Sequence, residues 1–259
     1  MDLGIAGRKA IVCASSRGLG RACAQALAQA GCDVVINGRD GKALAAAAAE
    51  LKAIGRGQVI PVEADVATAQ GQAALLAACP APDILVNNNA GPPFRDFRQL
   101  TREAMLDGLI ANMVVAIELT QKVIDAMVAK KFGRIVNITS GSVKMPLAGL
   151  DLSSGARAGL TAFFAGVARS VAASNVTINF LLPGTFDTER LASNIAANAK
   201  TKGISLDEAK AQRMATVPAR RFGTADEFGA ACAFLCSAQA GYITGQNLLI
   251  DGGAFPGAM

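Results

Sequence analysis

The sequence predicts an α/β protein: a doubly wound parallel sheet in three layers, with helices on both faces. Two observations predict it. Apolar runs of strand length alternate with longer helix-period segments along the 259 residues, a rhythm that calls for parallel strands joined by right-handed helical crossovers. The strand runs are near-continuous Val, Ile and Leu, the mark of a sheet buried on both faces. The length suits one such domain with a full core and is too short for two.

In chain order, residues 9–14 read as a strand, 19–30 as a helix, 33–37 as a strand and 41–54 as a helix. Residues 58–62 form the next strand and 70–79 the next helix. Strands at 83–87, 134–139 and 177–181 follow, with helices near 102–130 and 154–173 between them, and 248–250 closes the series. Residues 188–221 break the rhythm with two helix-like segments, 190–199 and 206–215, joined at Gly203. They follow a strand on the side where such sheets bind ligands, so they read as a substrate lid or as an insertion without a role.

Composition excludes several functions. Hydrophobic residues make up 52% and mean hydropathy is +0.35, yet no apolar run approaches the roughly 20 residues of a membrane-spanning helix. No charged and apolar leader precedes the first strand, so no secretory signal is expected. The six cysteines, at 13, 23, 32, 79, 232 and 236, form no CxxC pair, and the chain has no histidine. That leaves no common zinc set and predicts no metal. Buried, reduced thiols fit a cytoplasmic enzyme. The lack of histidine also removes the usual general base. A net charge of +5 without a Lys/Arg run points away from nucleic acid and toward an anionic cofactor or substrate.

The first strand runs into Ser15-Ser16-Arg17-Gly18-Leu19-Gly20 and then a helix. Gly18 and Gly20 let backbone approach a pyrophosphate, and the helix N-terminus offers free N–H groups. The position, at the first strand-to-helix turn, gives the glycines their weight. The turn resembles T-G-x-x-x-G-x-G of the short-chain dehydrogenase/reductase family, with Cys13 and Ala14 for the threonine and first glycine. The resemblance continues through Asp65-Val66, Asn88-Asn89-Ala90-Gly91, Asn112, Ser140, Pro183-Gly184, Thr188, Thr244-Gly245 and Asp251-Gly252-Gly253. It spans essentially the whole chain and is similar to the 3-oxoacyl carrier-protein reductase-like branch. Asn87 is one asparagine more than the pattern holds.

The resemblance implies a Rossmann-type fold and a nicotinamide dinucleotide cradled by Ala14, Ser16, Arg17, Gly18, Leu19 and Gly20. It puts Asp65 and Val66 at the adenine, Asn89, Ala90 and Gly91 on the adenosine side, and Pro183, Gly184 and Thr188 at the nicotinamide. It also implies a homo-oligomer, tetramer or dimer, built on the helices near 102–130 and 154–173. Cofactor choice follows from charge. The second strand ends Asn37-Gly38-Arg39, with no acid before Asp40, where an NAD enzyme keeps a carboxylate for the ribose 2′-hydroxyl. Arg17 and Arg39 suit a 2′-phosphate, which favours NADP(H) over NAD(H); a solvated surface arginine is the competing reading of Arg39.

In the family a tyrosine protonates the substrate oxygen, a serine holds it, a lysine four residues after the tyrosine binds the nicotinamide ribose, and an asparagine supports a water relay. Ser140 and Asn112 match their places. The tyrosine position holds Ser153 and the lysine position Arg157; the single tyrosine, Tyr242, lies elsewhere. Arg157 keeps the charge and several donors, so the resemblance has it point into the cleft and hold the nicotinamide ribose, whereas Ser153 is a much poorer acid than a phenol. Losing general-acid catalysis costs about 10²–10⁴-fold and need not end turnover. Lys144, Asp151 or a water held by Ser140, Ser153 and Asn112 are the replacement donors, with surface charges as the plainer reading of the first two. The expected function is an atypical NADP(H)-dependent oxidoreductase acting on a small carbonyl or acyl thioester. The alternatives are a cofactor-binding homologue without turnover, acting as sensor or partner subunit, and a non-redox member like the halohydrin dehalogenases.

Overall fold

The computed structural model describes residues 2–257. Seven strands among them form one parallel sheet: β1 (Lys9–Val12), β2 (Asp33–Gly38), β3 (Val59–Glu63), β4 (Ile84–Asn87), β5 (Gly133–Ile138), β6 (Val176–Pro183) and β7 (Asn247–Ile250), in the order β3-β2-β1-β4-β5-β6-β7. The order reverses between β1 and β4, where Val12 pairs with Ile36 on one side and Val86 on the other. Crossovers on either side of that point run over opposite faces and open a crevice beyond the strands' C-terminal ends.

Period-two alternation sends strand residues into two cores. Ala10, Val12, Val34, Ile36 and Val86 pack with Leu27 of α1 (Gly18–Gln29), Leu51 of α2 (Gly41–Ile54) and Phe228 of a C-terminal helix. Ile11, Val35, Leu85 and Ile135 face the other way. They meet Leu75 of α3 (Ala69–Ala78), Leu119 of a long central helix, and Phe164 of the helix after β5. Each fully buried Leu or Phe contributes about 1.5–3 kcal/mol, so the two cores fix the sheet and hold the crevice rigid.

The long central segment is not one regular helix. α4 (Arg102–Leu109) passes through a π-helical turn at Ile110–Val114 into α5 (Val115–Lys130). α6 (Asp151–Val171) lies against that turn, with Gly159 leaving room for Met113. The 188–221 region forms α7 (Glu189–Lys202) and α8 (Leu206–Ala215), closed by a small core of Ile195, Ala199, Ala209 and Phe222 that is separate from the two main ones. α9 (Ala225–Cys236), a helix not anticipated from sequence, packs on α1, and Gly229 admits the carbonyl of Ala22. The observed strands otherwise agree with the expected ones to within a residue or two at most ends; β1 stops at Val12 because residues 13–17 turn toward the crevice.

Candidate active site

The turn after β1 is held by buried side chains. Ser15 Oγ donates to the Val12 carbonyl (2.6 Å) and accepts from the Asn37 N–H (3.0 Å). Asn37 in turn accepts from the Ala14 N–H (3.2 Å) and donates to the carbonyls of Val62 and Ala64. From β4's end, Asn88 donates to the Ala14 carbonyl (3.1 Å). Ala14 is thereby pinned at φ +45°, in the left-handed region. Gly20 is required by contact: a β-carbon there would meet the Ala14 oxygen at 2.4 Å.

α1 begins without a side-chain cap and without an acid in its first turn. Its first N–H groups and positive dipole end are therefore left for an anion. Arg17, just before that helix end, lines a cleft of about 400 Å³ with Ala14, Ser16, Arg39, Asp65, Val66, Asn89 and Ala90, together with Asn37, Gly38, Asp40 and Ala64. Of the expected cofactor residues, Ala14, Ser16, Arg17, Arg39, Asp65, Val66, Asn89 and Ala90 thus surround one space, while Gly18, Leu19, Gly20 and Gly91 lie outside its lining. The fit to a dinucleotide phosphate is that of an uncapped helix end beside two guanidiniums.

Charge at this cleft differs from the expectation in one respect. Asp40, the N-cap of α2, turns back to bond Arg17, so an acid does line this end of the cleft. The Ala43 N–H and, less strongly, the Arg17 charge hold its carboxyl below the usual range. Arg39 lies 3.7 Å from Asp65, and Arg17 lies 3.9 Å from Glu189. Both arginines are more than half exposed, where such pairs are worth at most about 1 kcal/mol and yield readily to a stronger anion.

At the other end, β5 stops at Ile138 and Ser140 caps the short turn Gly141–Val143, its Oγ accepting from the Ser142 N–H (3.1 Å). α6 packs on that turn and on the π-helical turn. Asn112, at the centre of the π turn, is buried; it donates to the Gly108 carbonyl (3.1 Å), while its Oδ1 has no partner among the described residues. A π turn of this kind redirects a side chain from a helix and recurs at functional sites. Asn112 lines a cavity of about 20 Å³ with Asn87, Asn88, Asn89, Asn137 and Arg157, room for one water.

Ser153 and Arg157 lie one turn apart on α6, each 7% exposed. Arg157 Nε donates to Ser153 Oγ (3.2 Å) and Nη1 to the Ile138 carbonyl (2.8 Å). Burial, followed by the charge of Arg190, pushes the Arg157 guanidinium down to about 10. Lys144 is half-buried with Nζ 5.8 Å from the Phe255 ring centre, and no hydrogen bond joins it to Ser140 or Ser153 among the described residues. Asp151, the other candidate donor, is exposed at the start of α6, where its Oδ2 accepts from the Gly149 N–H (3.0 Å). Pro183 ends β6 against Ile250, Gly184 packs tightly on Asp251, and Thr188 caps α7 by accepting from the Leu191 N–H (3.3 Å).

The roles of three residues at the site escaped sequence reasoning, although Asn37 and Asn88 stand within the quoted motifs. Asn37 and Asn88 act through backbone contacts made across strands, which no local pattern announces. Arg190 reaches back from α7 to the Pro92 carbonyl (3.4 Å).

Comparison with known proteins agrees with this architecture. A family model described as enoyl-(acyl carrier protein) reductase matches residues 13–254. The chain is 32% identical over 249 residues to the 3-oxoacyl-[acyl-carrier-protein] reductase FabG of Escherichia coli, covering 96% of this chain and 98% of that one. It is 30% identical over 252 residues to the NADPH-dependent reductase BacG of Bacillus subtilis, covering 95% and 97%. Among solved structures it superposes on L-sorbose reductase from Gluconobacter frateurii, complexed with NADPH and L-sorbose, with a TM-score of 0.93 at 27% identity, covering 99% of this chain and all of the other.

Proposed function

Because the chain belongs to the short-chain dehydrogenase/reductase family, in its 3-oxoacyl-(acyl-carrier-protein) reductase-like branch, we propose that it is an NADP(H)-dependent oxidoreductase that interconverts a carbonyl and an alcohol without the family's phenol. The observation that carries this reading is the 400 Å³ cleft, in which two weakly paired arginines face one space beside an uncapped helix end.

On this reading Gly18, Leu19 and Gly20 present N–H groups to the pyrophosphate. Arg17 and Arg39 exchange Asp40 and Asp65 for a 2′-phosphate. Asp65 and Val66, then Asn89, Ala90 and Gly91, border the adenosine side, and Pro183, Gly184 and Thr188 the nicotinamide. The cofactor, when bound, supplies the hydride. Ser140 holds the substrate oxygen by hydrogen bond. Arg157 stands where the family has its lysine, holds the nicotinamide ribose, and keeps a positive charge that stabilises negative charge as it develops on that oxygen. The proton passes through hydroxyls: Ser153, polarised by Arg157 Nε–H, donates and is resupplied by water held near Asn112. Lys144 is the second candidate donor. α7 and α8 form the lid, since they have their own core and are joined to the cleft's mouth by Arg17–Glu189 and Arg190–Pro92.

A small carbonyl compound or acyl thioester is the proposed substrate class. Among the described residues no helix is long and apolar enough to cross a membrane, and the six cysteines are buried free thiols, which fits a cytoplasmic enzyme. The exposed Leu106, Leu109, Ile110, Val114 and Phe163 on α4, the π turn and α6 support assembly as a homo-oligomer. The reading without turnover rests on one fact, the engagement of Ser153 by Arg157.

Titration with the two cofactors tests the cofactor assignment. NADPH should bind at least tenfold more tightly than NADH, and Arg39→Asp should reverse the order. Equal dissociation constants in the unaltered protein would contradict it, and Asp40 would then be the residue that reads the ribose.

A further inference from the structure

Gly91, between the adenosine side of the cleft and Ser153, holds one cation more than hydride transfer to a neutral carbonyl requires. Two guanidiniums converge on the face of Gly91. The Arg190 nitrogens lie 3.2 and 3.3 Å, and Arg157 Nη2 lies 3.6 Å, from the point a β-carbon on Gly91 would occupy. Neither arginine forms an ion pair among the described residues, although Arg17, Arg39 and Arg221 all do. Glu189, next in sequence to Arg190, faces Arg17 instead.

Arg157 is the more telling of the two. The chain's other deeply buried arginine, Arg134, engages all three of its nitrogens with carbonyl oxygens. Arg157 engages two, and Nη2 has no hydrogen-bond partner among the described residues. A buried cation with a free edge beside a second cation is costly unless an anion completes it. The two arginines approach from different elements, Arg157 from α6 and Arg190 from the start of α7.

We propose that Arg157 and Arg190 form a carboxylate-binding site, and that the substrate is an anionic carbonyl compound whose carboxylate bridges them. The inference rests on the cofactor reading above and deepens it. The cofactor's phosphates already have the α1 N-terminus, Arg17 and Arg39 at the other end of the cleft. The Arg157–Arg190 pair instead adjoins Ser153 and the end of β5. A planar guanidinium takes a carboxylate through two parallel hydrogen bonds, and two of them give orientation as well as charge. The loops that lead to the pair carry exposed apolar side chains: Phe94, two residues from the Pro92 that Arg190 bonds, packs at Gly149, and Met145 and Leu147 come just before Gly149 in the chain. The ligand class is therefore an oxo acid with an apolar body. A carboxylate on Arg190 would also hold α7 against the cleft, so that closure waits for an anionic substrate.

The test uses 4-oxo-4-phenylbutanoate and its neutral ethyl ester, titrated into the full-length protein saturated with NADP⁺, with NADPH affinity measured separately. The unaltered protein should bind the acid at least tenfold more tightly than the ester. Arg190→Met should erase that preference while changing NADPH affinity less than threefold, and Arg190→Lys should restore part of it. Equal binding of acid and ester by the unaltered protein would overturn the inference. So would an Arg190→Met variant that weakens NADPH as much as the acid, since the anion would then be the cofactor's pyrophosphate. Should NADPH fail to bind at all, the cofactor reading falls. The acid–ester comparison on the cofactor-free protein then decides the arginine pair alone, tenfold preference supporting it and equality overturning it.

Discussion

Ala14 shows how a single position records the difference between this chain and its family. The family motif has glycine there, and the backbone is at φ +45°, a conformation that costs an L-residue roughly 1–2 kcal/mol. The surrounding bonds from Asn37 and Asn88 impose it, and the turn needs it to bring α1's N-terminus to the crevice. Ala14→Gly keeps both backbone hydrogen bonds and removes the strain, offset by a more flexible unfolded chain. It should stabilise the protein by about 1 kcal/mol in urea unfolding, and a loss of stability would show that the turn is unstrained. At this scale the sequence was legible where spacing carries the information: Ser153 and Arg157 share the buried face of α6 one turn apart, as their four-residue separation requires. It was silent on what Asn37, Asn88 and Arg190 do, because each acts on a residue at least 23 positions away.

Among the elements, strands were the most legible, since runs such as Ile84-Leu85-Val86 have no other place than a sheet covered twice. The π turn at Asn112 was not: one extra residue rotates the apolar stripe by about 100°, but the run from Leu109 to Ile117 is apolar at every position except Asn112, so the shift leaves no mark in the pattern. α9 was missed for a different reason. Its alanine, glycine and cysteine residues blur any apolar stripe, and it is buried by closeness to α1 rather than by bulk. A signal for it was present in Thr224 and Glu227, which form a reciprocal cap. Arg221 grips the same Glu227 carboxylate with two nitrogens (2.8 and 2.6 Å). Hydrogen bonding from Arg221, followed by the Thr224 N–H, pushes that carboxyl down to about 2. A folded-state value below the unfolded one stabilises the fold above the unfolded value of 4.5 and loses that support as pH falls toward 2. Glu227→Gln should therefore lower stability at neutral pH and flatten its decline between about pH 4.5 and 2. Parallel pH profiles for variant and parent would show that the cap adds nothing.

At the scale of the molecule, the two cores make the crevice a fixed frame, while α7 and α8 close on a small core apart from those two. The cleft beside α1 is built on the frame, and Arg157 of the frame meets Arg190 of α7 at Gly91. The fold class could be read early because β-α alternation is a property of the entire chain. Substrate class could not, because it depends on side chains that meet only when α6, α7 and the loop after β4 are assembled. The central claim is that such a molecule still moves hydride without a tyrosine. It is tested most directly with NADPH deuterated at C4, supplied with 4-oxo-4-phenylbutanoate and a panel of neutral ketones, with the alcohols examined by mass spectrometry. The account predicts deuterium on the carbinol carbon of at least one product from the unaltered protein, and faster labelling of neutral ketones by the Ser153→Tyr, Arg157→Lys double variant. NADPH that binds but transfers no deuterium to any compound in the panel, from the parent or the double variant, would contradict it.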